Sequence, residues 1–154
     1  MTGEREMKQS NLSRMGFGGL VIDQCYRLKA PPTTVFRALT DPTILPDWWL
    51  SKAHIDPREG GDFDFDWLNG FHLSGKITRF EKDKAVSFSW SQHTTAAFEV
   101  LKKGRGSLLK LHHGDFKEAE PFGLASSRWG YYLMNLKSVL DHGTDLRSKD
   151  DDSR

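Results

Sequence analysis

His113 is the residue best placed to do chemistry in this 154-residue chain. In the stretch LLKLHHGDF, Leu109, Leu111 and His113 share one side of an alternating strand while Lys110 and His112 share the other, so His113 faces the apolar interior. An inward imidazole beside a carboxylate or a tyrosine can hold a ligand carbonyl or hydroxyl, or transfer a proton as in a cyclase or dehydratase. A core histidine with one hydrogen-bond partner explains the same placement without chemistry. Glu99 supplies no partner, because it falls on the face opposite Phe98. His54, His72, His93, His112 and His142 form no HExxH or comparable ligand spacing with cysteine or acidic residues.

Asp62, Asp64 and Asp66 invite comparison with a calcium loop, which uses acids at its first, third and fifth positions. Trp67 stands where such a loop needs glycine, and Leu73 where it needs a bidentate glutamate. The interleaved Phe63, Phe65 and Trp67 instead make the acids the wet face of a strand, and no metal is expected. There is no G-x-S-x-G, Walker loop or dinucleotide fingerprint; GFGG at residues 16–19 precedes a strand instead of a helix. No cofactor is expected, and no catalytic residue beyond the candidate His113.

The aromatic residues say more. Trp48, Trp49, Phe63, Phe65, Trp67, Phe88, Trp90, Phe98, Phe122 and Trp129 are many bulky rings for one small domain. They either fill a core or line a pocket for an apolar ligand, and both uses are compatible.

Elements that position these residues follow from period and punctuation. Residues 18–29 alternate as a strand, with Leu20, Ile22, Tyr26 and Leu28 on one side. Pro31 and Pro32 end it and start a short helix with Val35, Phe36 and Leu39 as its apolar face. Asp41 caps a second short helix that Pro46 ends, leaving Trp48 and Trp49 on a connection. Residues 52–56, 61–67, 71–81, 85–90, 94–101 and 107–113 then read as strands of an antiparallel meander. From Trp129 the period changes: Trp129, Tyr132, Leu133, Leu136, Val139 and Leu140 recur at helical spacing, Asn135, Lys137 and Ser138 take the wet side, and Gly143 stops the helix. A curved sheet with one dry face and one long amphipathic helix must bury each against the other.

Composition narrows the function classes. A net charge of +1 with interspersed acids and bases gives no broad basic field, so nucleic-acid binding is not expected. Cys25, the single cysteine, permits neither an internal disulfide nor a thiolate zinc site. No apolar run is long enough to span a bilayer, and the N-terminus carries no secretory pattern, which leads us to expect a cytoplasmic protein. We expect residues 1–15 to be a flexible segment, 16–145 one domain, and 146–154, ending in SKDDDSR, a disordered charged tail.

Taken in order, APPTTVFRALTDP with its later Trp pair, DPREGGDFDF, SGKITRFEKDKAVSFSW, LLKLHHGDF and WGYYLMNLKSVLDHG resemble the START-like, or SRPBCC, superfamily. Within it they are most similar to the family named after the C-terminal domain of the activator of heat-shock-protein ATPase. The resemblance covers about residues 26–143 and implies an α+β helix-grip fold: a curved antiparallel sheet around a long C-terminal helix, two short helices after the first strand, and a cavity between sheet and helix that relatives use for hydrophobic small molecules. It implies no fixed catalytic set. The expected ligand-lining residues are Trp49, Phe65, Trp67, Leu73, Phe88, Trp90, Phe98, Leu111, His113, Trp129 and Leu133, with His113 as the polar anchor. Three readings stay open: a binder of a hydrophobic or aromatic small molecule, a cyclase- or dehydratase-like enzyme using His113, and an interaction module contacting a chaperone through the outer sheet face or an exposed Trp48–Trp49 loop. A homodimer through the outer face is also open.

Overall fold

The computed structural model describes residues 19–147. Its order is β1 (Leu20–Leu28), α1 (Pro32–Thr40), β2 (Lys52–Ile55), β3 (Asp62–Asp66), β4 (His72–Glu81), β5 (Ala85–Trp90), β6 (Thr94–Lys103), β7 (Gly106–Phe116) and α2 (Ala119–His142). The seven strands form one antiparallel sheet in the order β1-β7-β6-β5-β4-β3-β2, so the first strand pairs with the last and every other neighbour is a hairpin partner. This is the helix-grip α+β fold read from the sequence.

Alternation in β3 is as strict as the sequence requires. Phe63 and Phe65 are buried, while their polar neighbours meet β4: Asp62 pairs with Lys76, and His72 bridges Asp64 and Asp66. These contacts account for the acidic triplet as a cross-strand charge ladder, and no cluster of metal-ligating groups occurs among the described residues. Gly75 stands opposite Phe63, and a Cβ there would lie 2.9 Å from the Phe63 ring, so the missing side chain makes room for the aromatic.

Three local expectations need correction. The second short helix is a single 3-10 turn, Leu45–Asp47, and Pro46 lies inside its first turn instead of ending it. Proline lacks only a donor that a first helical turn leaves unused, so this turn accommodates Pro46 directly after Leu45. Helix α2 begins at Ala119, ten residues before Trp129. Pro121 and Gly123 disguise that start, but proline is tolerated in a first turn, and Phe122 and Ala125 pack on the core. In α1, Val35, Phe36 and Leu39 are all buried as their spacing predicts.

Asn135 is the third correction, because it is fully buried instead of lying on the wet side of α2. Its amide donates to the Trp48 carbonyl at 2.8 Å and to Asp145 at 2.9 Å, and its oxygen accepts the Leu146 amide at 2.6 Å. Arg147 continues the clamp by donating to the carbonyls of Pro46 at 2.7 Å and Leu50 at 3.2 Å. Leu146 and Arg147, assigned by sequence to a charged tail, are thereby tied to the Trp48–Trp49 segment; the remainder of that tail and the expected N-terminal segment lie outside the described residues. Asn135→Ala strands the Trp48 carbonyl and the Leu146 amide, and should cost about 1–3 kcal/mol in urea denaturation.

Candidate functional site: a ring cluster around His113

Nearly every residue expected to line a cavity lies between the sheet and α2, and the structure brings these residues into one cluster. Trp49 sits at its centre, 1% exposed. Its ring lies 5.4 Å from Phe65, 5.7 Å from Trp67, 5.4 Å from Trp129 and 5.9 Å from Trp90, the last in parallel stacking. Phe98 packs edge-on to Trp129 at 5.5 Å and to Phe88 at 6.4 Å. Leu111 and Leu133 complete the buried part, whereas Leu73 and Trp90 are only partly buried and form its outer end. Edge-to-face and offset arrangements at these separations suit the ring quadrupoles.

His113 faces inward as strand parity predicts, and it has no exposed surface. The Trp129 indole N–H donates to its Nδ1 at 2.9 Å. Nδ1 is therefore the acceptor of a neutral imidazole, and the ring proton resides on Nε2, which donates to the Thr94 hydroxyl at 2.7 Å. Thr94 in turn donates to the Ser91 carbonyl at 2.7 Å. One directional chain thus runs from α2 through the core to the turn before β6, with each donor used. Burial, helped by the neighbouring His112, pushes the His113 pKa down to about 4. The imidazole is neutral at pH 7, a donor fixed in one tautomer.

Thr94 was not singled out by sequence, although it shares the inner parity of Ala96 and Phe98. Phe116 was also missed; its ring centre lies 4.7 Å from that of His113. The turn that Thr94 anchors, Ser91–His93, holds two residues in the left-handed region, Gln92 at φ 63° and His93 at φ 56°. Such backbone is costly away from glycine.

The Trp pair is not an exposed loop. Trp48 and Trp49 are 0% and 1% exposed, and the Trp48 indole donates to the Ala38 carbonyl at 2.8 Å, fastening the segment to α1. An interaction through an exposed Trp48–Trp49 patch is therefore ruled out. Outside the ring cluster, a concavity of about 550 Å³ lies on the outer sheet face, with Asp23, Arg79, Glu99, Lys110 and His112 among its lining residues. His112 points there and bonds Asp23 at 2.9 Å, again as parity predicts.

Comparison with known proteins agrees with this architecture. The solution structure of the Aha1 dimer from Colwellia psychrerythraea is 22% identical, with 81% of this chain and 98% of that one covered at a TM-score of 0.74. CalU16 from Micromonospora echinospora is 26% identical over 80% of this chain and 76% of its own, at 0.66. PFC0360w, described as an HSP90 activator from Plasmodium falciparum, is 23% identical over 79% and 96%, also at 0.66. No curated protein matches the chain. No helix among the described residues is long and apolar enough to cross a membrane. The model of the activator of Hsp90 ATPase homolog 1-like protein family matches residues 29–141, and the chain belongs to that family.

Proposed function

We propose that this protein binds a hydrophobic or aromatic small molecule between the sheet and α2, at the end of the ring cluster formed by Trp90 and Leu73. The observation that carries this reading is the contrast within the cluster: its centre is sealed, while Trp90 remains partly buried beside a turn with two left-handed non-glycine residues. Strained backbone next to a half-open aromatic surface is where a packed interior can yield to a ligand. Trp49, Phe65, Trp67, Phe88, Phe98, Leu111, Trp129 and Leu133 form the wall behind it. His113 supplies the polar anchor, since its Nε2–H can transfer from Thr94 to a ligand acceptor without changing protonation. Acid–base catalysis by His113 is less well supported, because its one basic nitrogen, Nδ1, already accepts the Trp129 indole N–H and burial holds the ring neutral.

A panel of flat apolar compounds with one carbonyl or hydroxyl tests the proposal by tryptophan fluorescence and thermal unfolding. A ligand present at a hundredfold excess over its Kd should stabilise the protein by about 2.7 kcal/mol. Trp90→Ala should weaken binding, whereas His112→Ala on the outer face should leave it unchanged. A panel that moves neither the fluorescence nor Tm overturns the reading.

A second reading, contact with a chaperone, rests on membership of the activator of Hsp90 ATPase homolog 1-like family and on the likeness to the Plasmodium HSP90 activator. Its test is co-purification of the chaperone with the intact protein. The Colwellia neighbour, solved as a dimer, motivates the homodimer reading, which sedimentation checks.

A further inference from the structure

Across this sheet, charges are answered by opposite charges. Asp62 pairs with Lys76 and Arg79 with Glu81, Glu99 stands opposite Lys110 in register, and the remaining acids Asp64, Asp66 and Asp23 are hydrogen-bonded by His72 and His112. One end of the sheet breaks the pattern. The β4–β5 turn carries Lys82 and Lys84, and the β6–β7 hairpin carries Lys102, Lys103 and Arg105. All five side chains are exposed, and none makes an ion pair or side-chain hydrogen bond among the described residues. Asp83 is the one acid between them, and the nearby Glu81 is already taken by Arg79.

The two turns are held side by side. The Val100 amide donates to the Lys84 carbonyl at 2.8 Å, which continues the β5–β6 pairing beyond Ala85 and Glu99. Each turn is tight, with Asp83 at φ 65° and Gly104 at φ 59°. Five cations are thus presented from two rigid, laced hairpin ends, in a chain whose net charge is only +1. Like charges held close raise the energy of the free protein, and an anionic partner relieves that repulsion on binding.

The geometry points to this end of the sheet as a docking surface for an acidic, leucine-containing segment of another protein. Leu101, 39% exposed, supplies the apolar contact beside the cations. A nucleic acid fits less well, since neither turn offers an aromatic ring for base stacking and the field is local. A lipid surface fits less well because Leu101 alone gives these turns little apolar area to insert.

A fluorescent peptide of alternating glutamate and leucine, titrated with the full chain and read by anisotropy, tests the surface. Binding is expected at low salt and should weaken about tenfold on raising salt to about 0.15 M, as screening predicts. The K82E/K102E/R105E variant should lose at least about tenfold in affinity while keeping its Tm, and the milder K102Q/K103Q variant should lose part of it. The single Lys102→Glu variant should also weaken binding, and Lys52→Glu, which makes the same change in net charge on β2 at the far edge, is its control and should bind as the parent does. The proposal is overturned by absent binding at low salt, by equal losses in Lys102→Glu and its charge-matched control Lys52→Glu, or by phosphatidylcholine vesicles doped with phosphatidylserine binding in place of the peptide.

Discussion

Trp49→Ala is expected to destabilise the protein by about 3–5 kcal/mol, the range for removing a fully buried large aromatic. Trp49 touches Phe65, Trp67, Trp90 and Trp129 and stacks on Trp48, so truncation removes dispersion contacts from several elements together and leaves a void that rigid rings fill poorly. A small domain has only about 5–15 kcal/mol to lose, so the variant should unfold well below the parent in urea. Added indole should recover part of the loss by occupying the void. A cost below about 1 kcal/mol would show that the interior collapses around the gap, contrary to the interlocked packing described above.

The second large effect is a pH dependence centred on His113. An unfolded histidine binds its proton near 6.5, whereas the folded one binds it only near 4 because burial penalises the charge. Between these values the unfolded chain holds more protons, so stability falls as pH falls from about 6.5 and levels off below about 4. The loss should be on the order of 3 kcal/mol. Protonation also places a second N–H against the Trp129 indole donor, so the chain from α2 to Thr94 breaks at its first bond.

Other groups act in separable windows. His72, whose pKa is raised chiefly by its bond to Asp66, contributes stability below its unfolded value that fades as pH rises through its folded one. Asp41, held down by Thr43, and Asp62, held down by Lys76, contribute stability that is lost only at lower pH, as the carboxylates protonate. Denaturant midpoints from pH 7.5 to 4 should therefore show the His113 limb in the parent and lack it in His113→Asn. A variant that keeps the limb would assign it to another group.

Much of the molecule is legible in its residues because strands with one dry face write their geometry as parity. Asp62 to Trp67 alternate without exception, and their burial and pairing follow; the inward His113 and outward His112 follow from the same rule. The helix after Pro31 and the stop at Gly143 were readable because proline and glycine act through local sterics. The first ten residues of α2 were not readable, since AEPFGLASSR carries little helical preference and is held by packing of Phe122 and Ala125.

Sequence by itself determined the strand faces, the family resemblance and the set of inward rings. Tertiary structure alone decided how those rings and their polar neighbours are used. Whether the Trp pair is exposed or sealed, whether Asn135 is wet or clamps the chain end, and which atoms satisfy His113 all depend on residues distant in the chain. Asn135 meets Trp48 across 87 positions, and Trp129 meets His113 across 16. Parity and period describe what a segment turns toward, whereas hydrogen-bond satisfaction and ring packing require the partner that folding brings there.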